Sequence, residues 1–442
     1  MSVKKRCFLF ISAFVFFLGS VFLYGNGNTA AAAEGDPLNL KGEAAILIDG
    51  KTGKVLYEKN ADKLMGVASM SKMLTEYIVL ESIKEGKISW DQEVTINEFV
   101  HKLSAAPGLS NIGLTEGEKY TVKELYDAMA IHSGNAATVA LAELVAGSES
   151  NFVKLMNEKA KELGLDKYHF VNSTGLNNES MLGMHPEGTD AKDENKMSAR
   201  SVAKLAYRLI NDFPEVLETA KIPKLKFRDG KEYPNFNWML PGLIYEYEGV
   251  DGLKTGSTEY AGYCFTATAE RDGQRFISVI MKTRSQKERF EETEKLLNYA
   301  FSTFTTEELF PAGYTVKGKE SLPVAKGKEK QVKIVAKEPL KLMIKSGEKD
   351  QYKPKLVLDK NKLNEKGELT APVKKGEKVG YLTYEYEGED YGFIDGSDAA
   401  KVDVVAADTV EKANWFVLFM RGVGSFFSDL WGSITSAVKG WF

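Results

Sequence analysis

The chain is poor in the residues that most often announce chemistry. It has two cysteines and four histidines in 442 residues. Cys7 lies at the start of an apolar N-terminal run, which leaves Cys264 alone in the body of the protein. No internal disulfide can form there, so the fold must be held by its core. His101, His132, His169 and His185 include no H-E-x-x-H pair, which excludes a helix-borne metal site of that kind. No G-x-S-x-G elbow is present, which argues against a hydrolase built on serine, histidine and an acid. Net charge is only −4. No basic block or basic–aromatic stripe occurs, so nucleic acid is not an expected partner.

What is present begins with an export signal. Met1-Ser2-Val3-Lys4-Lys5-Arg6 precedes an apolar run from Cys7 to Tyr24, and Ala30-Ala31-Ala32-Ala33 follows. A basic head, an apolar middle and an A-x-A site predict a signal peptide over residues 1–33, cleaved after Ala33. An uncleaved membrane anchor is the alternative, since the run approaches spanning length.

The pattern is globular from Glu34. Ala44-Ala45-Ile46-Leu47-Ile48, a turn at Asp49-Gly50-Lys51-Thr52-Gly53, and Lys54-Val55-Leu56-Tyr57 predict a β-hairpin. Apolar residues at helical spacing run from Ser69 to about Lys84. Helix is also expected over 121–146, 151–163, 198–210 and 287–301. Strands are expected at 253–255, 263–268 and 275–281, the last two joined by Asp272-Gly273, a strong hairpin signal. The expectation is an α/β catalytic domain over residues 34–305, an antiparallel sheet flanked by helices with a helical subdomain in the middle. From about residue 306 to 407, short alternating strands separated by Lys, Gly and Glu turns predict a small all-β domain, read as a spacer or docking module. Residues 408–442 read as an amphipathic helix. Trp415, Phe419, Phe426, Trp431 and Trp441 share one face and Arg421, Ser425, Ser428 and Lys439 the other, as expected of a helix lying on a membrane surface, the alternative being a helix docked on its own protein. Its charge is nearly balanced, so apolar burial should outweigh attraction to anionic lipid.

Ser69-Met70-Ser71-Lys72 offers a nucleophile with its own base. A lysine three residues after a serine on a helix lies on the same face. Desolvation or nearby cations lower its pKa, so that it can accept the hydroxyl proton. Alone the pattern says little, because S-x-x-K recurs at Ser2, Ser201, Ser346 and Ser436. Lys-Thr-Gly also occurs twice, at Lys51 and Lys254, and the copy at Lys51 reads as turn chemistry. Ser133-Gly134-Asn135 is the lone S-x-N. Only Ser69 opens a predicted helix and precedes both the S-x-N and a K-T-G on a predicted strand.

That ordered triple resembles the penicillin-binding protein and serine β-lactamase superfamily. Asp251-Gly252-Leu253-Lys254-Thr255-Gly256-Ser257-Thr258, Phe170-Val171-Asn172-Ser173-Thr174-Gly175-Leu176 and Asn235-Phe236-Asn237 narrow the resemblance. They are similar to motifs of the D-alanyl-D-alanine carboxypeptidases among the low-mass penicillin-binding proteins. The resemblance implies catalytic roles for Ser69 as nucleophile, Lys72 as base and Ser133 as proton relay. It implies substrate binding by Asn135, Lys254, Thr255, Gly256 and Ser257, with backbone N–H groups of Ser69 and Ser257 forming an oxyanion hole. No cofactor or metal is implied. The implied partners are a peptidoglycan stem peptide ending in D-Ala-D-Ala, β-lactam antibiotics, and the outer face of the cytoplasmic membrane, reached through the C-terminal helix. Three other readings stay open at this point. A β-lactamase would need a glutamate for deacylation, and the Glu294 to Asn298 string falls after K-T-G, where that glutamate would not belong. A transpeptidase would pass the acyl group to an amine. A non-catalytic wall-binding protein would make no use of the polar constellation.

Overall fold

The computed structural model describes residues 36–396 and 400–421, together with 423, 431 and 435. The predicted export segment, 1–33, lies outside the described residues, as does most of the predicted helix beyond 421. Two compact units divide the chain, Met1–Leu40 and Lys41–Phe442. In the first, Asp36 to Asn39 form a turn closed by a 2.9 Å bond from Asn39 N to Asp36 O.

The second unit opens on the expected hairpin, β1 (Ala44–Asp49) and β2 (Val55–Lys59). Three later strands complete its sheet: β3 (Val250–Thr258), β4 (Gly262–Arg271) and β5 (Gln274–Thr283). Their spatial order is β3-β4-β5-β1-β2, every neighbour antiparallel. All six residues of β1 are buried, which explains a continuous apolar run where a one-faced strand would alternate. Strand β3 stands at the sheet edge.

Between β2 and β3 lies the helical part: α1 (Lys72–Lys84), α2 (Val122–Ala130), α3 (Asn135–Ala146), α4 (Glu149–Glu162) and α5 (Ala199–Asp212). Helix α1 is buried continuously from Lys72 to Leu80. A helix enclosed on all sides belongs at the centre of a domain, and this one carries two ionisable residues, Lys72 and Glu76, inside with it. The sequence-based expectation of an α-helix beginning at Ser69 is corrected in one detail. Ala68–Ser71 form a 3-10 turn and the α-helix starts at Lys72. The expected helix over 121–146 is interrupted at 131–134, where Ser133 takes a left-handed φ of 59°. Both departures place a catalytic candidate at a helix junction.

Helix α6 (Gln286–Thr303) covers the sheet and runs directly into β6 (Phe304–Phe310). A second, all-β body follows, comprising β7 (Ser321–Ala325), β8 (Gln331–Ala336), β9 (Leu340–Lys345), β10 (Tyr352–Leu358), β11 (Leu369–Thr370), β12 (Lys378–Tyr386) and β13 (Val402–Ala406). β6 pairs with β9, and the other six form a sheet in the order β10-β12-β13-β8-β7-β11. This body has its own apolar core, including Ile334, Leu342, Val379 and Leu382.

The Lys51-Thr52-Gly53 copy sits in the β1–β2 turn. Asp49 carboxylate oxygens accept from the backbone N–H groups of Lys51 and Thr52 at 3.2 Å, and Gly53 takes a φ of 70°. Next to it Lys54 is buried against the β body, its Nζ 3.2 Å from Tyr352 Oη and 5.0 Å from that ring's centre. This copy of the motif is structural.

Candidate active site

The site assembles around α1. Lys72 Nζ lies 3.0 Å from Ser69 Oγ, 2.8 Å from Asn135 Oδ1 and 2.7 Å from the Thr174 carbonyl oxygen. Asn135 opens α3, and its amide is oriented by donating from Nδ2 to Ser110 O at 2.9 Å. Lys254 on β3 reaches across to Ser133, with Nζ 2.8 Å from Oγ. The left-handed backbone of Ser133 aims that hydroxyl, a conformation that costs a non-glycine residue roughly 1–2 kcal/mol and is kept where surrounding structure imposes it. Gly134 supports it from behind. Its N–H donates to Ala128 O at 2.8 Å, and a Cβ there would lie 3.1 Å from the same oxygen.

Gly256 explains how strand and nucleophile come together. A Cβ at this position would lie 2.5 Å from Val67 O, 3.2 Å from Ser69 N and 3.1 Å from Met70 N. Only glycine lets β3 lie against the turn that carries Ser69. That contact sets the N–H of Ser69 close to the β3 segment containing Ser257. Ser69, Ser133, Asn135, Thr255, Gly256 and Ser257 all line one cleft of about 470 Å³, with Phe236 and Arg289 also on its wall. Lys72 and Lys254 sit behind it, buried. Every site residue expected from sequence is thus gathered around this one cleft.

Burial decides the electrostatics. Lys72 is held well below the ordinary lysine pKa by desolvation, and further by the charge of Lys254, while Glu76 opposes the shift. Lys254 is lowered to about 8, again by desolvation first, with Glu76 pulling the other way. Glu76, one helical turn after Lys72, has its carboxyl pushed up by burial against the pull of both lysines. Arg289 is lowered to about 10 by desolvation; its Nε has no hydrogen-bond partner and its Nη1 reaches Gly256 O and Cys264 O only at 3.5 Å. Cys264 is buried, with its thiol raised to about 11 by desolvation, and so carries no reactive thiolate at neutral pH.

Sequence reasoning missed Glu76, Arg289 and the scaffold under Thr174. A carboxylate four residues after a lysine reads as a surface ion pair, and an arginine within a Lys/Glu-rich helix reads as solvated. The scaffold had a signal, the Asn172-Ser173-Thr174-Gly175 motif, but no stated role. In the structure Asn172 Oδ1 accepts from the N–H groups of Thr174 (3.1 Å) and Gly175 (2.7 Å), and Glu149 Oε1 accepts from Ser173 N (2.9 Å) and Oγ (2.7 Å). These buried bonds hold the Thr174 carbonyl on Lys72. Asn237 steadies β3 through a 3.2 Å bond from Nδ2 to Gly252 O. Of the other S-x-x-K copies, that at Ser201 lies inside the helical layer, its hydroxyl accepting from Lys167 N at 3.1 Å.

An antiparallel sheet with a helical insertion, three motifs meeting at one cleft and a trailing β body define a penicillin-binding protein of the low-mass architecture. The comparisons are more specific, and by them the chain belongs to the D-alanyl-D-alanine carboxypeptidase family, which it matches over residues 28–285. Residues 304–412 match the penicillin-binding protein 5 C-terminal domain. D-alanyl-D-alanine carboxypeptidase DacF of Bacillus subtilis is 35% identical over 384 residues, 86% of this chain and 89% of that protein. Among solved structures, the peptidoglycan synthesis regulatory factor PBP3 of Streptococcus pneumoniae superposes with a TM-score of 0.71 at 34% identity, covering 84% of this chain and 100% of that one. Penicillin binding protein 5 of Haemophilus influenzae superposes with a TM-score of 0.67 at 30% identity, covering 84% and 98%.

Proposed function

We propose that this protein is a serine-type D-alanyl-D-alanine carboxypeptidase that removes the terminal D-alanine from peptidoglycan stem pentapeptides through an acyl-enzyme on Ser69. The observation that carries the reading is the 3.0 Å approach of a buried, desolvated amine, Lys72 Nζ, to Ser69 Oγ, beside the Lys254–Ser133 pair. The substrate backbone lies along the free edge of β3, its terminal carboxylate toward the cationic side of the cleft formed by Lys254, Thr255 and Arg289. Ser69 Oγ attacks the carbonyl carbon of the penultimate D-alanine while Lys72 takes the hydroxyl proton. The oxyanion is received by the N–H groups of Ser69 and Ser257, donors worth about 2.7–4 kcal/mol each in acyl-transfer sites. The C–N bond breaks, the proton that Lys72 took from Ser69 passes by way of Ser133 to the departing amine of D-alanine, and Lys72 is left neutral with an ester on Ser69. Water, losing a proton to Lys72, then cleaves that ester and restores the hydroxyl. A β-lactam follows the same first step, but its leaving nitrogen stays tethered to the acyl group.

In this reading residues 34–305 are the catalytic domain, 306–407 a spacer, and 408–442 a tail that holds the exported enzyme peripherally on the outer face of the cytoplasmic membrane; its helix begins at Trp415 and not at residue 408, because 409–413 are drawn out in β-bridges to the β body. What supports the last role is exposure. Trp415 and Phe419, on the first turns of the tail, are 77% and 60% exposed, and among the described residues no helix is long and apolar enough to cross a membrane. No role is assigned to any cofactor.

Product analysis on a pentapeptide ending in D-Ala-D-Ala, with and without an added amine, tests the reaction. Free D-alanine and tetrapeptide in both cases are expected; cross-linked product as the main outcome would make the enzyme a transpeptidase. The pH profile tests the roles of the lysines. Acylation needs Lys72 neutral and Lys254 charged, so kcat/KM rises with pH as Lys72 loses its proton and falls again near pH 8 as Lys254 does. In Lys254→Arg the cation persists at high pH, so the alkaline limb should disappear, with kcat/KM at neutral pH roughly 10- to 100-fold lower because guanidinium and ammonium differ in shape. An unchanged alkaline limb in that variant would remove Lys254 from the assignment.

A further inference from the structure

We propose that the end of the β body from which the tail departs is a recognition surface for anionic phospholipid, formed by lysines that are remote in sequence. The inference rests on the reading of the tail as a membrane-binding helix and adds the lipid chemistry that it meets.

The β7–β8 turn carries Lys326, Lys328 and Lys330. The loop before β12 carries Lys374 and Lys375, and the segment before the tail helix carries Lys412. All six are exposed. Main-chain bonds gather them. Gly327 forms a β-bridge with Lys412 and Val373 one with Val410. Lys328 N donates to Glu411 O at 2.7 Å, Ala413 N to Lys326 O at 2.9 Å, and Lys375 N to Thr409 Oγ1 at 3.1 Å. Thus the segment 409–413 is laid between the two lysine-bearing loops.

The helix that follows is fastened to the same place. Asn414 caps it, with Oδ1 accepting from Val417 N at 2.9 Å. Arg421 donates back to Gly327 O at 2.7 Å and to Lys328 O at 2.8 Å. The exposed Trp415, Phe416, Phe419 and Met420 therefore project from a helix held against the lysine rim. A surface that takes up those side chains comes within reach of the ammonium groups.

Charge identifies that surface. Lys328 is paired with Glu411, but Lys326, Lys330, Lys374, Lys375 and Lys412 make no ion pair among the described residues. With Arg421 the cations outnumber the nearby carboxylates Glu329, Glu377, Asp408 and Glu411, and Glu377 is already engaged by Lys362 at 3.2 Å. An uncompensated cationic rim around an aromatic helix fits a bilayer carrying negative headgroups. The tail's own charge is nearly balanced; the attraction is supplied by the rest of the chain. A cationic excess of about three predicts roughly 100-fold tighter partitioning onto anionic than onto neutral vesicles at low salt.

Cosedimentation of the full chain with vesicles tests this. Neutral phosphatidylcholine vesicles are compared with vesicles holding about 30% phosphatidylglycerol, at about 0.05 M and about 0.5 M salt. The expected result is binding to both, with an anionic preference that collapses at high salt. The variant K326Q/K328Q/K330Q/K374Q/K375Q should keep the neutral-vesicle affinity and the rate of labelling by penicillin, and lose the preference. Equal binding of the wild-type chain to both vesicles, or a preference retained by the variant, overturns the proposal while leaving the tail reading intact. Failure of the wild-type chain to bind either vesicle overturns the tail reading, and this inference with it.

Discussion

Ser69→Ala should leave no covalent adduct after benzylpenicillin, and should lower kcat/KM for the pentapeptide by roughly 10⁵- to 10⁶-fold, the scale seen when an acyl-transfer nucleophile is removed. Stability should change by no more than about 1 kcal/mol. The lost hydroxyl accepts one hydrogen bond, from Lys72, whose amine keeps Asn135 and Thr174 as partners. Intact-mass analysis with peptide mapping and a thermal melt on the same sample provide both readouts. An adduct that persists on another residue would contradict the assignment. An unfolded variant would contradict the stability prediction instead.

Gly175→Ala is expected to damage fold and site together. Gly175 adopts a φ of 81°, and a Cβ there would lie 1.9 Å from Ala68 O and 2.4 Å from Ala68 C. Both obstructing atoms are backbone, so no side chain can swing aside. Ala68 itself holds a φ of 45° immediately before the nucleophile. Relief therefore means moving Ser69 away from Lys72 or moving Thr174 O off it. A loss of about 3 kcal/mol or more in stability is expected from the strain and overlap together, along with at least roughly 100-fold slower acylation. Gly183→Ala is the control. Its φ of 79° is nearly the same, but nothing lies within 4 Å of the added carbon, so it should cost only about 1 kcal/mol. Melting curves and fluorescent-penicillin labelling rates distinguish them. Equal behaviour of the two variants would show that the close approach at Gly175 does not matter.

Much of the site was legible because the ordered triple S-x-x-K, S-x-N and K-T-G resembles that of a known superfamily, and the resemblance implied the role of each residue. Ser69, Lys72, Ser133, Asn135 and Lys254 stood out for that reason, and the alternation and turn signals around 44–57 and 263–281 placed the sheet. What was not legible depends on contacts between distant segments. Nothing local distinguishes Glu76 from a solvated helix glutamate; its character comes from α1 being enclosed on every side. Arg289 acquires its depressed pKa from the strands it is pressed against. The 3-10 turn at Ala68–Ser71 exists because Gly175 and Gly256 close on it from two directions, 106 and 187 residues later in the chain. The lysine rim is assembled by three separated segments and has no counterpart in any single stretch.

In the proposed mechanism the three partners of Lys72 bear on the direction in which its chemistry runs. An ammonium has three hydrogens to donate, and Ser69 Oγ, Asn135 Oδ1 and Thr174 O absorb all three. Once neutral, the amine keeps two hydrogens and gains one lone pair, so one of its neighbours must reverse from acceptor to donor. A peptide carbonyl cannot, and the Asn135 amide oxygen cannot, because its nitrogen is committed to Ser110 O. Only the serine hydroxyl can turn its proton inward. In that mechanism, deprotonation of the lysine and alignment of the O–H bond for its removal are coupled through the hydrogens around a single nitrogen.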